Sequence, residues 1–200
     1  MAEILEFLFG SKTKARLLRF FLMNPEQDFS AKEISEKNML KGAQAKSAIN
    51  EFRKNKFILE RKKNGVRYFI LNQKFPFLVE LKGLFIKSNI YPQCSSLDKL
   101  RTIGDVKLAL ISGIFLNYPK SKADMVLVVN NVSRPKLKNL MSNIEAEVGR
   151  EISYVLMNNE EFKYRLDMLD RFLLDFLEGP HDELVNKIPR LKLFISGLKK

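Results

Sequence analysis

Between Lys41 and Arg67, 27 residues hold nine Lys or Arg against two Glu. Three amide or hydroxyl side chains, Gln44, Ser47 and Asn50, are interleaved with Lys41, Lys46, Arg53 and Lys54. A further cationic trio, Lys62, Lys63 and Arg67, brackets Asn64-Gly65. That mixture suits a nucleic acid. Ammonium and guanidinium groups neutralise phosphates and release condensed counterions. Amides and hydroxyls offer paired donors and acceptors that match base edges in a major groove. The four cations ahead of Asn55 are therefore expected to hold phosphates, with Gln44, Ser47 and Asn50 reaching bases. Lys62, Lys63 and Arg67 would follow the adjacent backbone or minor groove. The competing reading makes the same residues the solvated face of a protein-contact domain.

These residues need elements to position them. Ala45, Ala48, Ile49 and Phe52 recur on a helical period, which predicts a helix from about Ala43 to Lys54 with the polar set opposite the apolar stripe. Asn-Gly favours the left-handed backbone of a type I′ turn, so residues 59–63 and 66–71 read as a hairpin with its cations at the tip. Upstream, Ser11 is a candidate N-cap for a helix over Lys12–Met23, ahead of Pro25. Asp28-Phe29 reads as a short extended piece. Ser30-Ala31-Lys32-Glu33 fits a capping box that opens a helix burying Ile34 and ending near Asn38.

Charge is unevenly shared along the chain. Through Ile90 there are 18 Lys or Arg against 9 Asp or Glu; from Tyr91 onward there are 17 against 14. Anionic partners are thus expected on the first half. No stretch approaches the roughly 18 uncharged apolar residues of a membrane helix, so no membrane partner is expected. Met1–Gly10 carries Glu3 and Glu6 and lacks the basic start of a signal peptide. A lone Cys94 excludes an internal disulfide and fits a reducing cytoplasm, and with a single His181 a zinc site is not expected.

The apolar segment Phe77–Lys87, after Pro76, is too greasy to stand alone as a helix. Pairing with a second copy in a homodimer is favoured here over packing within its own domain. Ile90–Ser96 reads as a linker. From Leu97 the pattern becomes strand, strand, helix, strand, helix. Val106–Ile111, Asp124–Val129 and Glu151–Met157 are the strands. A helix starts at Ser133-Arg134-Pro135 and stops at Gly149, and one long helix is expected from Asn159 to about Leu177, closed by Gly179-Pro180. Ile188–Ile195, with Leu198, reads as an amphipathic end piece.

Three helices followed by a basic hairpin, over about Glu3 to Gln73, resemble the winged helix-turn-helix of prokaryotic transcription regulators such as the ArsR and MarR families. Ser112-Gly113, with Asp124 eleven residues after Gly113, resembles the small-residue turn and first metal-binding Asp of nucleotidyltransferases. Spaced matches at Ala123–Val129, Gly149–Tyr154, Glu160-Glu161-Phe162 and Arg165 resemble regulators that fuse a winged helix to such a domain. The resemblance implies an α+β chain. Residues 1–75 would form a winged helix, 76–96 a connecting helix and linker, and 97–200 a nucleotidyltransferase-like domain with a small mixed sheet.

The departures bear on chemistry. Two-metal phosphoryl transfer needs several carboxylates around the ions. Val126 stands where the family's second Asp belongs, and the third carboxylate is missing from 152–157. The second domain is therefore expected to lack catalysis. Asp124 alone would hold magnesium weakly, and no resident metal or other cofactor is expected. A nucleotide effector cradled by Ser112 and Gly113 is one use for such a fold; docking a protein partner is the other, and the favoured one. Arg171 and His181 cannot sit on one helix as a nuclease pair, because Gly179-Pro180 intervenes. Double-stranded DNA is the expected partner and transcriptional regulation the expected function. The alternatives are an active metal-dependent nucleotidyltransferase whose winged helix recruits its target, and a winged helix on RNA.

Overall fold

The computed structural model describes residues 2–87, 94–189 and Leu191, with the side chains of 2–4, 86 and 87 left aside. Helices and two small sheets are mixed along the chain, which divides into two compact units. The first holds residues 2–87, Cys94 and Met141–Glu151. The second holds Ser95–Leu140, residues 152–189 and Leu191.

In the first unit the order is α1 (Ala2–Phe9), α2 (Lys12–Met23), β1 (Phe29–Ser30), α3 (Ala31–Lys37), α4 (Gly42–Lys54), β2 (Ile58–Lys63), β3 (Val66–Leu71) and α5 (Leu78–Lys87). Local chemistry sets the helix starts. Ser11 accepts a hydrogen bond from the Lys14 N–H, and Ser30 and Glu33 form the reciprocal capping box. Hydrogen bonds from Ser30 hold the Glu33 carboxyl below its ordinary pKa range. The three strands are antiparallel in the order β1-β3-β2, and Asn64 (φ 49) with Gly65 (φ 77) makes the tight turn between β2 and β3.

Leu17, Phe21, Ile34, Ala45, Ile49, Phe52, Phe57 and Leu71 share one core, with aromatic edges meeting at Phe52–Phe57 (5.2 Å) and Phe57–Phe75 (5.2 Å). Phe85 and Leu78 of α5 join that core. Phe85 is fully buried, stacks on Phe9 at 5.8 Å and lies under the Arg19 guanidinium at 5.5 Å. α5 is thus part of the first unit, not a connector beginning at residue 76. Val79 and Leu84 remain exposed on it. Residues 90–93 of the expected linker lie outside the described residues. Cys94 is buried, and Ser95 opens a 3-10 helix reaching Thr102.

Segment Met141–Glu151 is held within the first unit by polar contacts to α2 and α3. Arg19 donates to the Glu147 carbonyl at 2.6 Å, Asn24 donates to the Gly149 carbonyl at 2.7 Å, and Lys37 pairs with Glu151 at 2.9 Å. Burial lowers the Arg19 pKa, and the Lys37 contact lowers that of Glu151.

The second unit is built on a four-stranded mixed sheet of order β6-β5-β4-β7: β4 (Asp105–Ile111), β5 (Met125–Asn130), β6 (Tyr154–Met157) and β7 (Asp182–Asn186). β5 and β6 are parallel neighbours, joined through α6 (Arg134–Val148); the other pairs are antiparallel. Two features differ from expectation. The single helix over 159–177 is two, α7 (Asn159–Asp167) and α8 (Arg171–Glu178). Leu169 turns to φ 54, and Asp170 caps α8 by accepting from the Leu173 N–H at 3.0 Å. β7 is a strand in a stretch to which the sequence pattern assigned no element, and His181 lies in the loop just ahead of it, its Nδ1 2.9 Å from the Gly179 carbonyl. Of the proposed end piece, Ile188 and Leu191 pack on the core; Phe194, Ile195 and Leu198 lie outside the described residues.

Candidate nucleic-acid interface

α4 buries Ala45, Ala48, Ile49 and Phe52, which turns Gln44, Lys46, Ser47, Asn50, Arg53 and Lys54 to solvent. Lys46, Asn50 and Lys54 are spaced four apart and form one outward row. Lys41 is the N-cap and makes no side-chain cap bond, and a Cβ added at Gly42 would meet no neighbouring heavy atom within 4 Å. The turn before α4 is fixed from within. Arg16 donates to the Asn38 carbonyl at 2.9 Å, and Ser35 Oγ donates to the Leu40 carbonyl at 2.7 Å.

The hairpin presents its cations in register. Lys62 pairs with Arg67 across the strands and Arg61 with Tyr68, all exposed except the half-buried tyrosine. Carboxylates divide the seven cations among the ten expected contact residues into two classes. Glu60 takes Arg53 at 2.7 Å and lies 4.0 Å from Arg67, linking α4 to the hairpin. Asp28 takes Lys63 at 2.6 Å, and the same ammonium lies 5.6 Å from the Tyr68 ring centre. Lys41, Lys46, Lys54 and Lys62 have no carboxylate within ion-pair distance among the described residues, and neither has Arg61. Sequence reasoning did not assign a role to Arg61, although it lies in the same basic run. Glu60 was visible too, but its placement between two cations depends on the strand pairing.

Ser112, Gly113 and Asp124 do converge, though their polar groups are spent on one another and on nearby backbone. Asp124 is 5% exposed. Its carboxylate accepts from the Ile114 N–H at 2.8 Å and the Ser153 N–H at 3.0 Å. Ser112 N–H donates to the Asp124 carbonyl at 2.9 Å, and Ser112 Oγ donates to the Pro180 carbonyl at 2.6 Å. Gly113 sits at φ +51 with the Asp124 carboxylate in the space a Cβ would fill. The backbone that could cradle a phosphate is here closed around a protein carboxylate. Val126, on β5, is fully buried among Leu108, Leu110 and Phe162. Among the described residues, no group of three or more His, Cys, Asp or Glu is arranged to hold a metal ion. No described helix is long and apolar enough to cross a membrane.

Compared with known proteins, the chain matches no family model, no curated protein and no solved structure.

Proposed function

We propose that the chain is a transcriptional regulator that grips duplex DNA with α4 and the β2–β3 hairpin, as a winged helix does. The observation that carries this reading is the row of unpaired cations. Lys46 and Lys54 flank Asn50 on the face opposite the core, with Lys41 at the helix start and Lys62 at the hairpin tip. Carboxylates hold Arg53, Lys63 and Arg67 and leave these four lysines to face solvent, the polarity a phosphate backbone requires. Glu60 then serves to fix the hairpin against α4. The second unit, a nucleotidyltransferase-like fold on this reading, acts as a docking domain. The closed Asp124 turn supports that role over nucleotide sensing. Homodimerisation in the cytoplasm, which would match paired half-sites, completes the proposal.

The test is duplex binding across a salt series, read by fluorescence anisotropy. A slope of log affinity against log salt of about −4 or steeper is expected, from roughly 0.9 per neutralised phosphate. Hairpin RNA should compete poorly, because its deep, narrow major groove excludes a helix. A flat salt response, or equal competition by RNA, overturns the reading.

A second expectation concerns Glu60. In Glu60→Gln, Arg53 and Arg67 lose the carboxylate between them and become available to phosphates. Affinity should rise several-fold and the salt slope steepen by about one unit. Stability should change by under about 1 kcal/mol, because the pairs are partly solvated. Weaker binding would place Glu60 among the contact residues instead.

A further inference from the structure

Within residues 95–140 and 152–189, a near-even balance of charge conceals a strong division. Residues 95–140 carry eight Lys or Arg against three Asp or Glu, whereas residues 152–189 carry four against eight. The two sets meet at Lys122 and Asp175, 2.7 Å apart, and otherwise lie on different elements. Leu108, Leu110, Val126 and Val128 share one sheet face and pack with Phe162, Leu173, Phe176 and Leu177 of α7 and α8, the acidic half. Ala109, Ile111, Met125 and Leu127 alternate with them and are equally buried, so the opposite face is covered as well. The 3-10 helix Ser95–Thr102 packs on β4, and α6 is the crossover between parallel β5 and β6.

The residues just after the 3-10 helix meet those just before α6. Ser133 N–H donates to the Ile103 carbonyl at 2.8 Å, and a Cβ on Gly104 would lie 2.9 Å from the Asn130 and Asn131 carbonyls. Lys99 and Arg101 stand exposed on the 3-10 helix, and Arg134, Lys136 and Lys138 on α6. None of the five has a carboxylate within ion-pair distance among the described residues. The nearest acids in sequence are Asp98 and Asp105, and Asp105 is already taken by Lys107 at 2.8 Å. Elsewhere in the unit Arg165 is matched with Glu161 at 2.6 Å and Lys122 with Asp175 at 2.7 Å, while Lys120, Lys163, Arg171 and Lys187 stand singly, without an ion pair among the described residues.

We propose that Lys99, Arg101, Arg134, Lys136 and Lys138 form a second phosphate-backbone contact surface, through which the second unit grips duplex DNA independently of sequence. This rests on the reading that the chain binds duplex DNA. The surface lacks the amide row that α4 presents, so it adds affinity and site size, not base discrimination. The acidic α7–α8 side repels phosphate and fixes which side of the unit meets the duplex.

The test uses the full chain with all five residues changed to Gln, positions exposed enough for the fold to survive. The variant and the wild type are titrated by anisotropy on a duplex of about 15 base pairs and one of about 45, across salt. On the longer duplex the variant should lose about three units of salt slope, for three or more contacts at roughly 0.9 each, and about a hundredfold in affinity near physiological salt. Its preference among sequences should not change. An unchanged slope on both duplexes overturns this inference while leaving the α4 reading intact. Failure of the wild type to bind any duplex sinks both. A patch that instead meets the acidic face of a second copy would show as a salt-sensitive dimer in sedimentation velocity, lost in the variant with DNA binding unaltered, and that result also overturns the proposal.

Discussion

Asp124→Ala is expected to destabilise the second unit by about 2–4 kcal/mol, because two part-buried backbone donors lose their acceptor at once. The Ile114 and Ser153 N–H groups bond the carboxylate from the 112–115 turn and from the approach to β6, so one side chain ties two segments separated by nearly 40 residues in sequence. Gly113→Ala should cost about 2–4 kcal/mol for a linked reason: φ +51 strains any L side chain, and the new methyl strikes the same carboxylate. The pair must therefore be coupled. In the Asp124→Ala background the collision is gone, and Gly113→Ala should cost about 1–2 kcal/mol less than it does alone. Urea unfolding of the four proteins measures this, following the transition of the second unit. A metal-binding Asp at an active site predicts the opposite, since removing it leaves stability unchanged or improved. Additive costs, or a stable Asp124→Ala, would return Asp124 to a chemical role.

What the sequence made legible was whatever its own neighbourhood determines. Ser30 and Glu33 cap α3 with groups three residues apart, and Asn64-Gly65 sets its turn without outside help. The apolar stripe of α4 fixed its exposed face, so each expected contact residue there is solvent-facing. Distance in sequence limited the rest. Lys63 is a cation in any reading, but Asp28 meets it only after β1 pairs with β3. Asp124 invites a catalytic reading by type and spacing; its partners are backbone groups, whose direction no side-chain pattern reveals. β7 is an edge strand, with Asp182 and Glu183 outward and Val185 buried, too brief for alternation to stand out. The break at Leu169 was hidden because Leu is a good helix former. Asp170, an N-cap residue type, was the available signal there.

Replacing Lys41, Lys46, Lys54 and Lys62 together by Ala is expected to reduce duplex affinity about a thousandfold near 0.15 M salt, and the salt slope by about 3.6 units. The magnitude follows from counterion release. At roughly 0.9 per contact, each lost phosphate contact is about a fivefold loss at that salt, and four such losses multiply. All four residues are exposed, so melting should shift by less than about 0.5 kcal/mol and a folding defect cannot mimic the result. Arg53 and Lys63 provide the internal comparison. Both already hold carboxylates at 2.7 and 2.6 Å, and each must give up that partner to reach a phosphate. Their double Ala variant should lose under about one slope unit. Gln44, Ser47 and Asn50 to Ala should behave in a third way. Discrimination against altered bases falls by about 1–3 kcal/mol per lost contact, at constant salt slope. Three outcomes so separated would assign phosphate, clamp and base roles on one surface. If the paired and unpaired lysines instead prove equal, the charges act as a diffuse cloud and α4 does not enter a groove.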